Sequence, residues 1–267
     1  MPESSLPPPP PRPPPPIEHG TGSGWKDSAR PPDVAYPQGS RWGLGDAVIA
    51  TLLWAFSSVV VFVGVALVFD ADPIDGWWFP FTLIVPQLIQ LGFVWWTARA
   101  RGSGLAIDFG FAFRWNDLPI ATLLLFVGLA AAAVVGLLMM AIGIDPPTAA
   151  VAEVAEEAVD DGRRGITAPI IVVAVLAATV VPLVEELGYR GLWYSAMLKR
   201  GHREWWAVGA SSLVFAVIHL EPARTPIILT LGLVLGWGRH LTNRIGASII
   251  AHAMINGLAF LALLSTL

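Results

Sequence analysis

The stretch Val180-Val-Pro-Leu-Val-Glu185-Glu186-Leu-Gly-Tyr-Arg190 places three ionisable side chains inside a run that otherwise has the composition of a membrane span. A charge at the centre of a bilayer costs roughly 2.5–3.5 kcal/mol on insertion scales. That cost falls when charged groups pair with one another or line a water-filled cavity, and such residues commonly mark functional sites. The stretch therefore indicates a membrane protein with a polar site inside the bilayer.

Composition agrees with a polytopic membrane protein. Of the 267 residues 55% are hydrophobic and only 13% are charged, and the mean hydropathy is +0.63. A soluble domain carries about 25% charged residues. The net charge of −4, without a basic block, argues against a nucleic-acid partner. The absence of cysteine from the sequence excludes disulfides, a thiolate nucleophile and cysteine-ligated metal.

Apolar runs predict an all-α transmembrane helix bundle of seven spans, with an uncertainty of one. A membrane helix needs about 20 mostly apolar residues. The predicted spans are 47–69, 77–98, 118–144, 168–198, 206–220, 227–241 and 246–264. We expect 168–198 to be one long helix with a kink at Pro182. Gly232, Gly236 and Gly238 indicate close packing between helices.

The first 45 residues differ from the rest, since they contain the polyproline runs 7–11 and 13–16. Proline runs favour extended conformations and build no core. We therefore predict a disordered tail over 1–45 and a transmembrane domain over 46–267, with a motif-bearing core at about 168–260. The tail is either a solvated extension or a docking site for a partner that reads Pro-x-x-Pro. Its composition is not that of a cleavable signal peptide.

Charges in the loops predict the topology. The loops 70–75 and 153–161 are acidic, and basic residues gather on the cytoplasmic side of membrane proteins. We therefore expect a multi-pass protein of the plasma membrane with a cytoplasmic N-terminus. The basic residues lie in the tail, in the alternate loops and at the end of the next-to-last helix: Arg12, Lys26, Arg30, Arg41, Arg99, Arg101, Arg114, Lys199, Arg200, Arg203, Arg239 and Arg244.

Polar side chains recur at similar depth on three different spans. Counting along each helix from the basic side puts Glu185 at about 22 Å, His219 at about 20 Å, and His252 and Asn256 at about 12–18 Å. We expect Glu186 to pair with Arg190, which lies one helical turn later, and Glu185 to point about 100° away and stay available. Taken singly, these residues are also compatible with structural hydrogen bonds or a structural ion pair.

Three motifs follow one another in order, each within an apolar stretch: Glu185-Glu186-x-x-x-Arg190, Phe215-x-x-x-His219 and His252-x-x-x-Asn256. Together they resemble the CAAX-protease and bacteriocin-processing (CPBP, or Abi) family of intramembrane proteases. The resemblance covers roughly residues 168–260. Each motif alone is common in unrelated chains, whereas all three in this order are specific.

The resemblance implies an intramembrane endopeptidase, a hydrolase that cleaves a peptide bond within the membrane. It implies that Glu185 activates water as general base and that His219 helps to hold or deprotonate that water. His252 and Asn256 are then expected to stabilise the developing oxyanion, and the Glu–Arg pair of the first motif to orient the site. The implied partners are membrane lipid and a membrane-associated protein or peptide, including prenylated CAAX proteins.

The resemblance leaves the cofactor open. The family is often labelled metalloprotease, and two histidines with one carboxylate form a known catalytic zinc set. Glu185, His219 and His252 are then the predicted ligands. The same side chains also serve a metal-free glutamate mechanism, and the sequence lacks the HExxH motif that would compel zinc.

Two other classes of function remain compatible with the residues alone. Charged and imidazole groups near the middle of a membrane also mark the ion pathways of transporters and proton-coupled carriers. The sequence shows no clear internal repeat, which such carriers often have. A non-catalytic membrane scaffold that carries the motifs is the third reading.

Overall fold

The computed structural model of the chain describes residues 40–145 and 167–264, and that part is helical without strands. This confirms the predicted all-α class. Most of the Pro-rich tail and the acidic loop 153–161 lie outside the described residues, so the predicted disorder and domain boundary stay predictions.

Eleven helical segments follow one another in the described part of the chain. Residues 168–199, which carry the first motif, form a nearly continuous segment that we call the motif helix. The segments are α1 (Leu44–Val68), α2 (Trp78–Arg101), α3 (Leu105–Phe109), α4 (Asp117–Ala141), α5 (Ala168–Ala178), α6 (Val180–Glu186), a π-helix (Leu187–Trp193), α7 (Tyr194–Lys199), α8 (Glu204–Ile218), α9 (Thr225–Thr242) and α10 (Gly246–Leu264).

Four of these described segments are long and apolar enough to cross a membrane: α1, α2, α4 and the motif helix, with 24 to 32 residues each. Helices α8 and α10 are shorter apolar helices. All seven predicted spans therefore correspond to helices, and four of them meet the length and hydropathy expected of a span. Large apolar side chains such as Phe56, Leu67, Phe126 and Leu137 are exposed on α1 and α4, as a lipid-facing surface requires.

The predicted interruption at Pro182 is present, and it lies one turn before the proline. The break lies three residues earlier, at Thr179, whose φ of −130° and ψ of −71° are not helical. Proline has no N–H to bond the carbonyl of residue i−4, here Ala178, and its ring presses against that carbonyl. The disturbance therefore appears one turn before the proline itself. A π-helix then follows α6 directly and begins one residue after Glu186.

The motif helix lies at the centre of the bundle. Its α5 segment packs against α2 and α10, and its π-helix contacts α1, α2, α3 and α8. Every side chain from Val184 to Leu192 is buried. Helices α4, α9 and α10 pack against one another beside it. The first motif is thereby enclosed by helices from both halves of the chain.

Helix α2 and the motif helix run in the same direction. Their C-terminal ends both meet the segment just before α1. The backbone N–H of Arg41 donates to the carbonyl of Arg101 at 2.6 Å, and Lys199 Nζ donates to the carbonyl of Ser40 at 2.9 Å. Because the two helices also pack side by side, residues at matching distances from these ends lie at matching heights.

A buried ion pair fixes the start of α10. Arg244 Nη2 lies 2.7 Å from Asp117 Oδ1, and both side chains are fully buried. The same guanidinium donates to Asn116 Oδ1 at 2.8 Å. The sequence placed Arg244 with the basic residues of the membrane surface. Its burial was not predicted: a carboxylate at the start of α4 draws the side chain inward.

We predict that Arg244→Met lowers the free energy of unfolding by about 3–5 kcal/mol, since it leaves Asp117 buried without its partner. Chemical unfolding in detergent micelles measures the loss. The double variant Arg244→Met with Asp117→Asn should recover a large part of it, because the uncompensated charge is gone.

Arg200→Met is the matched control for this prediction, as Arg200 is exposed. An Arg244→Met protein as stable as the Arg200→Met protein would show that the ion pair does not hold α10 in place.

Candidate functional site

The two glutamates of the first motif lie where α6 passes into the π-helix. Arg190 Nη1 donates to Glu186 Oε1 at 2.9 Å, and both side chains are fully buried. This is the predicted ion pair one turn apart. The other terminal nitrogen, Nη2, donates to the carbonyl of Gly232 on α9 at 2.9 Å. The guanidinium therefore joins the motif helix to α9.

His252 of α10 lies beside both glutamates. Its Nδ1 is 3.0 Å from Glu186 Oε1, and its Nε2 is 3.7 Å from Glu185 Oε2. A carboxylate accepts hydrogen bonds only, so Nδ1 carries the proton that it donates to Glu186. The 3.7 Å between His252 Nε2 and Glu185 Oε2 is too long for a direct hydrogen bond and too short to hold a water molecule between the two atoms. The structure thus brings the first and third motifs together.

The second motif lies against the same cluster through Phe215. Its ring centroid is 4.8 Å from that of His219, 5.8 Å from that of His252, and 4.5 Å from Arg190 Cζ. His219 is half-buried at the end of α8, and its Nδ1 lies 2.7 Å from the carbonyl of Phe215. A carbonyl only accepts, so Nδ1 donates, and Nε2 is left as the acceptor nitrogen.

Asn256 makes a contact that the sequence did not predict. Its Nδ2 donates to the carbonyl of Ala177 at 2.9 Å, in the last turn of α5 before the break at Thr179. Its side chain is half-buried. The bond attaches α10 to the motif helix at the point where the helix is interrupted. An amide group has two N–H donors, so one donor remains for another acceptor.

Sequence reasoning missed the part played by Arg239 and Gly232. Arg239 was read as a surface cation, yet it is buried, and its Nε donates to the carbonyl of Arg190 at 3.1 Å. Gly232 was read as a packing residue, and it is one: a methyl group there would lie 3.3 Å from Arg190 Nη2. Its carbonyl also binds Arg190. A charge inside a short apolar run was the signal that could have identified Arg239.

The predicted zinc ligands do not form a metal-binding cluster. Among residues 40–145 and 167–264 no group of three His, Asp or Glu side chains is arranged to hold a metal ion. Zinc lies about 2.0–2.2 Å from each nitrogen or oxygen ligand, so three ligand atoms must converge closely. Glu185 and His252 approach each other, whereas His219 is packed against Phe215. As arranged, these residues do not fit the zinc set.

We predict that Asn256→Ala lowers the free energy of unfolding by about 0.5–1.5 kcal/mol, the usual range for one hydrogen bond between membrane helices. Asn256→Asp should lower the free energy of unfolding further, because a carboxylate cannot donate to the carbonyl oxygen of Ala177 and repels that oxygen. Unfolding in detergent measures both changes.

Thr230→Ala is the control for Asn256, since the exposed Thr230 hydroxyl bonds a carbonyl of its own helix, that of Pro226. Equal free energies of unfolding for Asn256→Asp and Thr230→Ala would show that the hydrogen bond from Asn256 does not stabilise the fold.

Residues 167–258 match a family described as Rce1-like, type II CAAX prenyl endopeptidase. No curated protein and no solved structure matches the chain. The matched range covers about a third of the chain and holds all three motifs. It confirms the family resemblance on which the sequence analysis drew. Residues 167–258, from α5 into α10, are therefore similar to the Rce1-like, type II CAAX prenyl endopeptidases.

Proposed function

We propose that the chain is an intramembrane endopeptidase that hydrolyses a peptide bond of a membrane-associated protein, in the manner of the CAAX proteases. One observation carries the proposal: the imidazole of His252 lies against both Glu185 and Glu186 in the centre of an apolar bundle. The family match over residues 167–258 supports the same class of reaction.

Glu185 is the general base in this mechanism. Glu186 is fully buried and is held by Arg190, whereas the side chain of Glu185 keeps 11% of its surface accessible. Glu185 takes a proton from a water molecule, and the water oxygen bonds to the scissile carbonyl carbon. The C–N bond then breaks, and the proton passes to the leaving nitrogen. Proton transfer of this kind contributes about 10²–10⁴-fold to rate.

His252 and Asn256 stabilise the oxyanion. In its imidazolium form His252 donates from both nitrogens, through Nδ1 to Glu186 and through Nε2 towards the developing negative charge. The second amide N–H of Asn256 is the other donor. His219 offers Nε2 to hold the attacking water.

The proposed substrate is a prenylated protein with a C-terminal Cys-aliphatic-aliphatic-X sequence, the class that the family description names. We further propose a plasma-membrane protein with a cytoplasmic N-terminus. The meeting of Arg41, Arg101 and Lys199 at one end of the bundle supports that orientation, since basic residues gather on the cytoplasmic side.

We predict that Glu185→Gln lowers the cleavage rate by about 10²–10⁴-fold, because the amide cannot accept the proton from water. The thermal unfolding temperature should change little, because the ion-pair contact of Glu185 with His252 Nε2 is long, at 3.7 Å. The assay uses the full chain in proteoliposomes with a farnesylated peptide ending in Cys-aliphatic-aliphatic-X, and in parallel a membrane-spanning peptide.

Glu204→Gln is the matched control, because Glu204 is an acid at the start of α8 that pairs with His240. Cleavage by Glu185→Gln at the rate of Glu204→Gln would reject Glu185 as the base. Substrate flux across the proteoliposome membrane without cleavage would favour the transporter reading instead.

We predict that EDTA treatment leaves cleavage unchanged, since the proposed mechanism uses side chains alone. Elemental analysis of the same active preparation should find zinc well below one ion per chain. Loss of activity that added zinc restores would instead support Glu185, His219 and His252 as metal ligands.

A further inference from the structure

Two buried glutamines lie on the membrane-spanning helix α2. Gln87 is 3% exposed and Gln90 is 1% exposed. They are three residues apart and therefore neighbours on one face of the helix. Polar side chains in a membrane span need partners, because hydrocarbon offers none. Yet Gln87 Oε1 is buried and accepts no hydrogen bond.

The glutamine pair, Gln87 and Gln90, faces the part of the motif helix that carries Glu185. A methyl group added at Gly188 would lie 3.1 Å from Gln90 Nε2. Gly188 follows Glu185 by three residues, so the two share a face, while Glu186 lies about 100° away. Because α2 and the motif helix are parallel, moving back three residues on each puts Gln87 at the height of Glu185.

An unpaired amide at this depth is unfavourable for the protein alone. A buried polar group without a partner costs about 1–3 kcal/mol, and an apolar side chain of the same shape would avoid that cost. Gly188 allows the close approach of the second glutamine: because it has no side chain, the amide of Gln90 can lie near the backbone of the motif helix. The arrangement leaves one amide acceptor, Gln87 Oε1, without a partner beside the general base.

A glutamine amide has the hydrogen-bonding groups of a peptide bond. Its oxygen accepts from a backbone N–H, and its NH₂ donates to a backbone carbonyl. An extended peptide offers both groups, whereas a helical peptide has already used them within itself. Cleavage at Glu185 requires an extended segment, since the scissile carbonyl must be free for attack.

We propose that Gln87 and Gln90 form a subsite that binds the backbone of the substrate in extended form next to Glu185. The inference rests on the proposed peptidase function and extends it to α2, which lies outside the matched range 167–258. Because the subsite binds backbone groups, it acts on substrates of different sequence to the same degree. The glutamines are positioning residues, and Glu185 remains the base.

The test uses Gln87→Met and Gln90→Met in the full chain, with the farnesylated peptide as probe. Each variant should raise KM about tenfold, the effect of one lost hydrogen bond, with a smaller change in kcat. Thermal unfolding of Gln87→Met should be unchanged or occur at higher temperature, because a buried amide oxygen without a partner is replaced by an apolar group. Affinity for the same peptide in a Glu185→Gln background should fall by the same factor.

Thr97→Val is the matched control, since Thr97 is a buried polar residue of α2 whose Oγ1 also lacks a hydrogen-bond partner. It lies about two turns nearer the basic end and should leave KM unchanged. If the glutamines only brace the helices, their replacement lowers the unfolding temperature and leaves KM and affinity as in the parent, which overturns the proposal.

A second set of peptides identifies the contact directly. Single N-methylation of each amide next to the scissile bond removes one N–H. At the position that Gln87 binds, methylation should weaken binding to the parent protein about tenfold and to Gln87→Met hardly at all. Equal losses with both proteins at every position would refute the subsite. Absence of cleavage by the parent protein would instead refute the peptidase function.

Discussion

One carboxylate oxygen accepts the hydrogen bonds that connect helices at the centre of the described structure. Glu186 Oε1 accepts from Arg190 Nη1 at 2.9 Å and lies 3.0 Å from His252 Nδ1. Through these two partners it joins the motif helix to α10, and Arg190 extends the connection to the carbonyl of Gly232 on α9. Three helices of an apolar bundle are therefore brought into register by hydrogen bonds to one carboxylate and its cation.

The same arrangement explains why charges are tolerated so deep in the bundle. Each ionised group faces a partner of opposite sign or a backbone dipole, and the ring of Phe215 covers the guanidinium of Arg190. This pairing gives the two glutamates different roles. Glu186 and Arg190 pair with each other, and Glu185 is left with a partly accessible carboxylate near the imidazole of His252.

The helices, the Glu186–Arg190 pair and the family could be predicted because each depends on local sequence: apolar length, a four-residue spacing and ordered motifs. The π-helix after Glu186 could not, since no local sequence feature marks it. The burial of Arg239 and Arg244 was not predicted either. Their charge assigns both to the basic side of the membrane, and it cannot tell an exposed cation from one drawn inward by Asp117 or by the carbonyl of Arg190.

The π-helix at Leu187–Trp193 makes this segment unlike the α-helical turns around it in its response to a change of chain length. Its hydrogen bonds span five residues instead of four, so the wider turn absorbs about one additional residue. Removal of a single residue here would return the backbone to ordinary α geometry and leave the helix beyond it in the same orientation. Removal of a residue from the α-helical turn that follows would instead rotate the end of the helix by roughly 100°, and Lys199 would lose its hydrogen bonds to Ser40 and Trp42. The two deletions, a few codons apart, would therefore have opposite effects on the far end of the helix.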